Sequence, residues 1–260
     1  MNPRLRSPGL YYIFKMEKNF CQWKKQSLNK VDLSKKGVVD DDVVHIVSLL
    51  NSYEEYFTTS SCSGRIIIID RAPDSVVVQK KNLVWLLVSH SKCTFDDMMS
   101  ALASSCGNAV LKFEPFVMHV QCRTLDDAQL LLSAALQSGF KNSGLTASKT
   151  GKIITAVRCT HSLEVPLSNQ GRLLVSHEYI NFLTQIANQK MEDNLRQIER
   201  FYQTIQTTLT TNKQPKGPQD SKSHEIKQPP FMDLEKKEQD KDDKFVREAQ
   251  IKSINTECLA

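Results

Sequence analysis

Four consecutive isoleucines, Ile66 to Ile69, place the strongest constraint on how this chain can fold. A run of β-branched apolar residues is typical of a strand that is buried on both faces. The residues just before Arg65, "TTSSCSG", are all small, which predicts a loop whose backbone N–H groups can approach an anion. Arg65 would add a charged fork for the same anion. The sequence therefore predicts a core strand that is entered through a ligand-binding loop.

The other apolar runs predict strands that occur in clusters, with helices between them. Pro115 is expected to divide one strand in two, because proline cannot serve a central ladder. Strands and helices do not alternate regularly, and no G-x-G-x-x-G follows the first strand, so a Rossmann fold is not indicated. We predict an α+β fold, a two-layer sandwich in which helices pack on one face of a mixed sheet. The predicted strands cover 65–70, 76–79, 83–89, 109–113, 116–122, 153–158 and 164–167.

Helix boundaries are indicated by capping residues and by a helix-ending glycine. At two places a threonine is followed three residues later by an aspartate, which predicts a capping box. Gly139 is expected to end the second of these helices. The last predicted helix is long and runs to about residue 209. The predicted helix starts are Asp40, Thr94, Thr124 and Ser176, and a weaker helix over 17–30 is docked by Phe20, Trp23 and Leu28.

Positive charge is concentrated near the N-terminus. Residues 1–36 hold nine lysines and arginines, including Lys24 and Lys25, against two acidic residues. Such a segment suits a polyanion such as RNA, although a solvated basic helix would have the same composition. We predict three regions: a flexible extension over 1–15, a folded α+β domain over 16–211, and a disordered charged tail over 212–260, where apolar residues are sparse.

Several classes of protein are not indicated. No apolar run approaches the roughly 18 residues that span a bilayer, and the N-terminus lacks the apolar core of a secretory signal. The seven cysteines are scattered and none forms a Cys-x-x-Cys pair, so reduced thiols and a cytoplasmic location are expected. Cys159 and His161 alone make a poor zinc pair. We therefore expect no membrane partner and no metal.

A second concentration of polar residues lies in the segment "KFEPFVMHVQCR". Because side chains alternate between the two faces of a strand, Lys112 and Glu114 are expected to share one face. His119 and Arg123 are likewise expected to share a face. The loop "GFKNSG" is a third candidate, since its two glycines bracket a hydroxyl and an amide that could contact a ligand closely.

Cys62 leaves alternatives open. A nearby arginine could activate its thiol, and His90 or His119 could approach it as a base, which would make the chain a cysteine hydrolase or transferase. The other interpretation is a small packed residue that lines the site. A non-catalytic RNA-binding module is a further alternative, but it leaves the polar groups on core strands unexplained.

Five segments together resemble the tRNA wybutosine-synthesizing protein 3 family: "TTSSCSGRI", "WLLVSH", "KFEPFVMHVQCR", "GFKNSG" and "AVRCTHSLEVPL", in that order. The resemblance covers about residues 17–211. It implies an unusual, non-Rossmann methyltransferase that uses S-adenosylmethionine to methylate N-4 of the tricyclic wyosine-type base beside the anticodon of phenylalanine tRNA. It also implies the anticodon stem-loop of that tRNA as partner, with other enzymes of the wybutosine pathway as candidate partners.

The resemblance places a site on residues already singled out. We expect the donor to contact Ser60, Ser61, Cys62, Ser63, Gly64, Arg65, Trp85, His90, Gly139, Phe140, Ser143 and Gly144. The tRNA is expected to contact Lys24, Lys25, Lys112, Arg123 and Arg158. Trp85 or Phe140 would stack on the adenine or on the tricyclic base. Glu114 or His119 would take the proton that the acceptor nitrogen loses.

Overall fold

Residues 19–30, 37–71 and 83–213 are described by a computed structural model of the chain. They all belong to one compact unit. The predicted extension over 1–15, the strand over 76–79 and the tail beyond 213 lie outside these residues, as do most of the basic residues of the N-terminal segment. Among the described residues, no helix is both long and apolar enough to cross a bilayer.

The described helices begin where the capping residues predict. Both capping boxes are present, at Thr94 and at Thr124. Ser176 accepts a hydrogen bond from the Tyr179 N–H at 3.3 Å at the start of the long helix. Gly139, with a φ of +97°, follows the fourth helix as predicted. The helices are α1 (19–28), α2 (Val44–Ser52, after a 3₁₀ turn at Asp41–Val43), α3 (Phe95–Leu102), α4 (Leu125–Gln137) and α5 (His177–Lys213).

The described strands form one main sheet, in the order β2-β1-β3-β5-β4, and β6 also pairs with β3. Every pairing is antiparallel, so the predicted mixed sheet is wrong. The physical reason is that α3 and α4 each connect two strands between which an antiparallel strand lies. The strands are β1 (Tyr56–Arg71), β2 (Leu83–Ser89), β3 (Asn108–Cys122), β4 (Gly144–Ala147), β5 (Ile153–Arg158), β6 (Leu163–Pro166), β7 (Ser168–Asn169) and β8 (Arg172–Leu173).

The two central strands are longer than predicted. The small residues before Arg65 belong to β1 and pair with β3, so they form a strand and not a loop. Pro115 does not break β3 and lies opposite Gly64. On its other side β3 pairs with β6 over 110–113 and with β5 over 117–122, so Pro115 falls in the gap between those partners. A residue without an N–H is tolerated there because the described strands require no ladder bond from it on that side.

Side chains of β3 change their alternation at this gap. Leu111 and Phe113 pack into a core cluster with α3 and the first half of α5. Phe116 and Met118 pack into a second cluster with α2, α4 and the second half of α5. The buried positions therefore pass from odd to even numbers, and the two residues between them, Glu114 and Pro115, are both half-buried. This confirms the α+β layering, with α2 to α5 on one face of the sheet, here called the helix face.

Asn194 of α5 bridges β1 and β3 beside Gly64. Its Nδ2 donates to the Ser63 carbonyl at 2.7 Å, and its Oδ1 accepts from the Phe116 N–H at 2.8 Å. The side-chain amide thus satisfies two buried backbone groups where the register has no Ser63–Phe116 pair. Gly64 has a φ of +104°, and a Cβ there would lie 3.0 Å from Asn194 Nδ2 and 3.1 Å from the Glu114 carbonyl oxygen. Glycine is therefore required where the two central strands meet the long helix.

The opposite face of the sheet, here called the far face, carries a smaller apolar cluster of Ile67, Ile69 and Val110. Helix α1 packs on the far face through Phe20, whose ring centre lies 5.3 Å from that of Phe57. Phe57 points to the far face because its neighbour Tyr56 belongs to the helix-face core. The predicted docking of α1 is thus confirmed for Phe20, whereas Leu28 is 46% exposed and does not dock it.

Candidate functional site

Five polar side chains lie on the far face of the sheet in two groups, which are five residues apart along the central strands. Glu114 lies opposite Arg65, and His119 lies opposite Ser60, on the two central strands. Met118 and Val157 point into the helix-face core, so their neighbours His119 and Arg158 point the other way. The change of alternation at Pro115 brings the even-numbered Glu114 and the odd-numbered His119 to the same face. We call Ser60, Arg65, Glu114, His119 and Arg158 the polar row.

Arg65 has two partners, one within the polar row and one beside it. Its Nε donates to Glu114 Oε2 at 2.8 Å. Its guanidinium carbon lies 5.1 Å from the centre of the Trp85 ring, within the range of a cation–π contact. Trp85 is opposite Ile69 on β2 and 40% exposed, so it also faces the far side. The arrangement presents a planar aromatic surface next to a matched pair of charges.

His119 is held between Ser60 and Arg158. Its Nδ1 lies 2.9 Å from Ser60 Oγ, and its Nε2 lies 3.0 Å from an Arg158 guanidinium nitrogen. A guanidinium can only donate, so Nε2 is the acceptor and the ring proton sits on Nδ1, which donates to Ser60. Burial, and then the nearby Arg158 charge, lower the pKa of His119. The imidazole is thus neutral near pH 7, with its lone pair directed at Arg158.

Two predicted tRNA contacts lie apart from the row. Lys112 shares the far face with Glu114, as predicted, and its Nζ is 2.9 Å from Glu164 Oε2. Arg123 follows the end of β3 and donates to Glu55 Oε1 at 3.0 Å. Its ion-pair partners are Glu54 and Glu55, so it does not contact His119, and the shared face of His119 and Arg123 stays a prediction.

The loop "GFKNSG" divides between the core and the site. Phe140 is fully buried between Phe116 and Phe201, so it cannot stack on a ligand in this structure, and that prediction is wrong. Ser143 Oγ accepts a hydrogen bond from the Arg158 N–H at 3.1 Å, which ties the loop to the polar row. Gly144 is exposed at the start of β4 and has open space around its Cα.

The small residues of β1 have different environments. Ser61 is half-buried opposite Met118, and Ser63 is buried, with its N–H donating to Asp40 Oδ2 at 2.8 Å. The Ser63 N–H is therefore already paired, and the predicted cradle of N–H groups for an anion is not formed there. Among the described residues, the carboxylate that pairs with Arg65 is that of Glu114. The predicted use of Arg65 as a charged fork for a bound anion therefore needs revision.

Cys62 and His90 approach each other, but not in the geometry of a nucleophile and its base. Cys62 Sγ is 3.8 Å from His90 Nε2, and Asp40 Oδ2 is 3.7 Å from the same nitrogen. In a catalytic relay the carboxylate orients the other ring nitrogen. Burial also raises the pKa of the Cys62 thiol, which opposes thiolate formation. A cysteine hydrolase is therefore not supported.

A cavity of about 230 Å³ lies at the gap beside Pro115 and was not predicted. Pro115 and Cys159 are the chain neighbours of Glu114 and Arg158 in the polar row, whereas the four lining residues from α5 place the cavity on the helix-face side of the gap. Lys190 and Asp193 of α5 bring one positive and one negative charge to it. The sequence feature that could have indicated this cavity is a stripe of polar residues at helical spacing on α5, namely Lys190, Asp193, Asn194 and Gln197. The lining residues are Pro115, Cys159, His161, Lys190, Asp193, Asn194 and Gln197.

The two lysines of α1 differ in their surroundings. The Lys24 ammonium donates to the Tyr53 carbonyl, and burial lowers its pKa. Lys25 is exposed. Because α1 packs against Phe57, the helix that carries both lysines lies at the far face.

A family model and two similar proteins all indicate the same protein family. The family model "Methyltransferase TYW3" matches residues 22–207. The tRNA wybutosine-synthesizing protein 3 homolog of Bos taurus is 58% identical over 202 residues, covering 76% of this chain and 78% of the relative. A protein of Thermococcus sibiricus, named tRNA(Phe) 7-((3-amino-3-carboxypropyl)-4-demethylwyosine(37)-N(4))-methyltransferase, is 33% identical over 199 residues, covering 74% of this chain and 99% of the relative.

Two solved structures show the similarity in fold. The PH1069 protein from Pyrococcus horikoshii matches with a TM-score of 0.67 and 31% identity, covering 74% of this chain and 98% of that chain. A hypothetical protein from Aeropyrum pernix shares the fold, with a TM-score of 0.56 and 20% identity, covering 65% of this chain and 99% of that chain.

Proposed function

This chain belongs to the TYW3 methyltransferase family, and on that premise we propose that it methylates N-4 of the wyosine-type base in phenylalanine tRNA, with S-adenosylmethionine as donor. The observation that carries the proposal is the polar row on the far face of the sheet, whose Arg65 lies against the exposed ring of Trp85. The named activity of the Thermococcus sibiricus relative supplies the substrate. A non-catalytic RNA-binding module would need neither the cavity nor a neutral histidine.

The chemistry makes modest demands on the protein. The methyl group moves from the sulfonium sulfur to the acceptor nitrogen, the C–S bond breaks, the C–N bond forms, and the nitrogen loses a proton. The sulfonium is already electrophilic, so the protein mainly has to align the two reactants and exclude competing ones. A base is needed only for the proton.

We assign a base of the anticodon loop to the far face beside Trp85, and the tricyclic base to the group around His119, which lies about 16 Å further along the strands. An aromatic ring with an arginine on it offers a stacking surface for a planar base. Arg65 is held there by Glu114, so its guanidinium is oriented before any ligand arrives. An Arg65→Ala variant is expected to lose tRNA binding more than donor binding, whereas Arg172→Ala, at an exposed arginine of β8, should change neither.

We assign the methionine end of the donor to the cavity beside Pro115. That end carries one carboxylate and one ammonium, and Lys190 and Asp193 offer one charge of each sign, with Asp193 also paired to Arg196 of the same helix. The gap in the sheet beside Pro115 would let the rest of the donor reach the far face. This assignment replaces the predicted cradle in β1, whose Ser63 N–H is already paired. A Lys190→Ala variant should weaken donor binding, measured by calorimetry, and leave tRNA binding unchanged.

We propose that His119 accepts the proton that the acceptor nitrogen loses. Its Nε2 lone pair is available near pH 7, and Ser60 fixes the tautomer. Arg158 must turn from Nε2 toward a phosphate of the bound tRNA for the lone pair to be used. A His119→Gln variant is then expected to lose more activity than Glu114→Gln. The reverse order would make Glu114 the base.

The test of the function is a methyl-transfer assay. The full chain is given labelled S-adenosylmethionine and phenylalanine tRNA from cells that lack this gene, and the nucleoside is identified by mass spectrometry. A gain of one methyl group on the wyosine precursor is expected. Tight tRNA binding without transfer would reduce the protein to a binding module.

A further inference from the structure

Apart from the polar row, three potential metal ligands converge from separate parts of the chain. Asp40 precedes the 3₁₀ turn before α2, Cys62 lies in β1, and His90 follows the end of β2. One ligand atom of each lies within 4.8 Å of the others. Asp40 is buried, and the other two are half-buried, so the group is shielded without being closed to solvent.

The separations of these atoms suit ligands around one ion better than direct hydrogen bonds. A tetrahedral zinc with typical Zn–S, Zn–N and Zn–O bonds holds its ligand atoms about 3.4–3.6 Å apart. The observed separations from His90 Nε2 are 3.8 Å to Cys62 Sγ and 3.7 Å to Asp40 Oδ2. The third separation, between Cys62 Sγ and an Asp40 carboxylate oxygen, is also within 4.8 Å, so side-chain shifts of about 1 Å would bring the three atoms to coordination distance.

The convergence on a single nitrogen is the more telling feature. His90 Nε2 has either one hydrogen or one lone pair, so it can bond only one of the two groups, while the Cys62 thiol and the Asp40 carboxylate also interact with each other. An ion between the three groups would satisfy all of them at once. We propose that Asp40, Cys62 and His90 bind one divalent transition-metal ion, with zinc as the best match.

The ligand types narrow the choice of ion. A thiolate and an imidazole favour zinc over magnesium or calcium, which take oxygen ligands. The Ser63 N–H, 2.8 Å from Asp40 Oδ2, orients the carboxylate as an outer contact of such sites commonly does. Three protein ligands leave a fourth position for water or a substrate atom.

The site goes beyond the proposed methyl transfer and does not depend on it. The ion would fasten the segment before α2 and the end of β2 to β1, three residues before Arg65. It would also overturn the expectation from the sequence that the chain binds no metal. That expectation failed to consider Asp40, Cys62 and His90 together because each lies at least 22 residues from the next.

The first experiment measures binding directly on the full chain. Protein stripped with a chelator is titrated with Zn²⁺ by calorimetry and, in parallel, with Co²⁺ by absorption spectroscopy. We expect one ion per chain at this site and a thiolate-to-cobalt charge-transfer band. Cys62→Ser should abolish that band and His90→Gln should weaken it. Cys159→Ser, which removes another half-buried thiol, should keep it.

A second measurement needs no variant and so covers the case in which a variant fails to fold. The rate at which Cys62 is alkylated in the unmodified chain is followed by peptide mass spectrometry, with and without Zn²⁺. Coordination should slow alkylation of Cys62 at least about tenfold, because the bound sulfur is no longer a free nucleophile, and should leave Cys159 unchanged. Equal rates, or a cobalt band that survives Cys62→Ser, would overturn the proposal. Both readouts are independent of methyl transfer, so the two proposals can fail separately.

Discussion

At the scale of single residues, the contact between His119 and Arg158 predicts how activity depends on pH. The Arg158 charge disfavours the imidazolium and contributes to a pKa below the ordinary 6.5. The neutral base should therefore stay active as the pH falls to that lowered pKa, and activity should be lost below it. Arg158→Ala should raise the pKa of His119 and move the acid limb of kcat/KM to higher pH.

Arg158→Lys is the matched control, since it keeps the charge. NMR titration of the His119 ring gives the pKa independently of catalysis. If the pKa is the same with alanine and with lysine at position 158, the charge does not set it.

Gly64 gives a second prediction for a single residue. A Cβ at its φ of +104° would meet Asn194, the Glu114 carbonyl and the Phe116 N–H at 3.0–3.2 Å. We expect Gly64→Ala to lower the free energy of unfolding by about 2–3 kcal/mol, from strain plus crowding. Urea denaturation measures it. Gly144→Ala, where nothing lies within 4 Å, should be nearly neutral. A similar loss for both glycines would show that crowding is not the cause.

At the scale of elements, Asn194 joins two strands to a helix. Removing its amide leaves the buried Ser63 carbonyl and Phe116 N–H without their partner. We expect Asn194→Ala to cost about 2–4 kcal/mol of unfolding free energy, because two buried polar groups lose their bonds. Gln203→Ala, at an exposed position of the same helix, should cost little. Equal losses would mean that the bridge contributes nothing beyond helix propensity.

Features whose cause lies within a few residues could be predicted from the sequence, and features that depend on distant parts of the chain could not. The capping boxes at Thr94 and Thr124 act over three residues, so the sequence predicted both helix starts. The continuity of β3 through Pro115 depends on which strands flank it, and those strands come more than 35 residues later in the chain. The burial of Phe140 depends on Phe201, 61 residues away. Residue types thus indicated most candidates for the site, while their partners required the fold.

At the scale of the whole molecule, α5 connects the two core clusters. Met191 packs in one cluster and Ile198 in the other, on the same helix. The described domain should therefore unfold in one transition. Met191→Ala and Ile198→Ala should each cost about 2–4 kcal/mol and lower the midpoint equally for tryptophan fluorescence and for circular dichroism. A second transition in either variant would separate the clusters.

The placement of α1 gives a prediction about tRNA. Lys25 is exposed on the helix that lies at the far face, so charge reversal should remove about one phosphate contact. Lys25→Glu should weaken tRNA binding at low salt and reduce the salt slope by about one unit. Lys92→Glu is the control, because Lys92 is already paired with Glu192. Unchanged affinity at low salt would remove α1 from the tRNA interface.

The change of alternation at Pro115 has a consequence for how this chain can vary. Upstream of it odd-numbered residues of β3 face the helices, and downstream even-numbered ones do. Deleting one residue between 114 and 116 would remove this change of alternation from β3 alone and would shift its pairing with β1 by one residue on one side of the deletion. Insertions and deletions should thus be absent from this short segment in functional variants, yet tolerated in the turn between β4 and β5. A library of single-residue deletions selected for folding would trace that boundary directly.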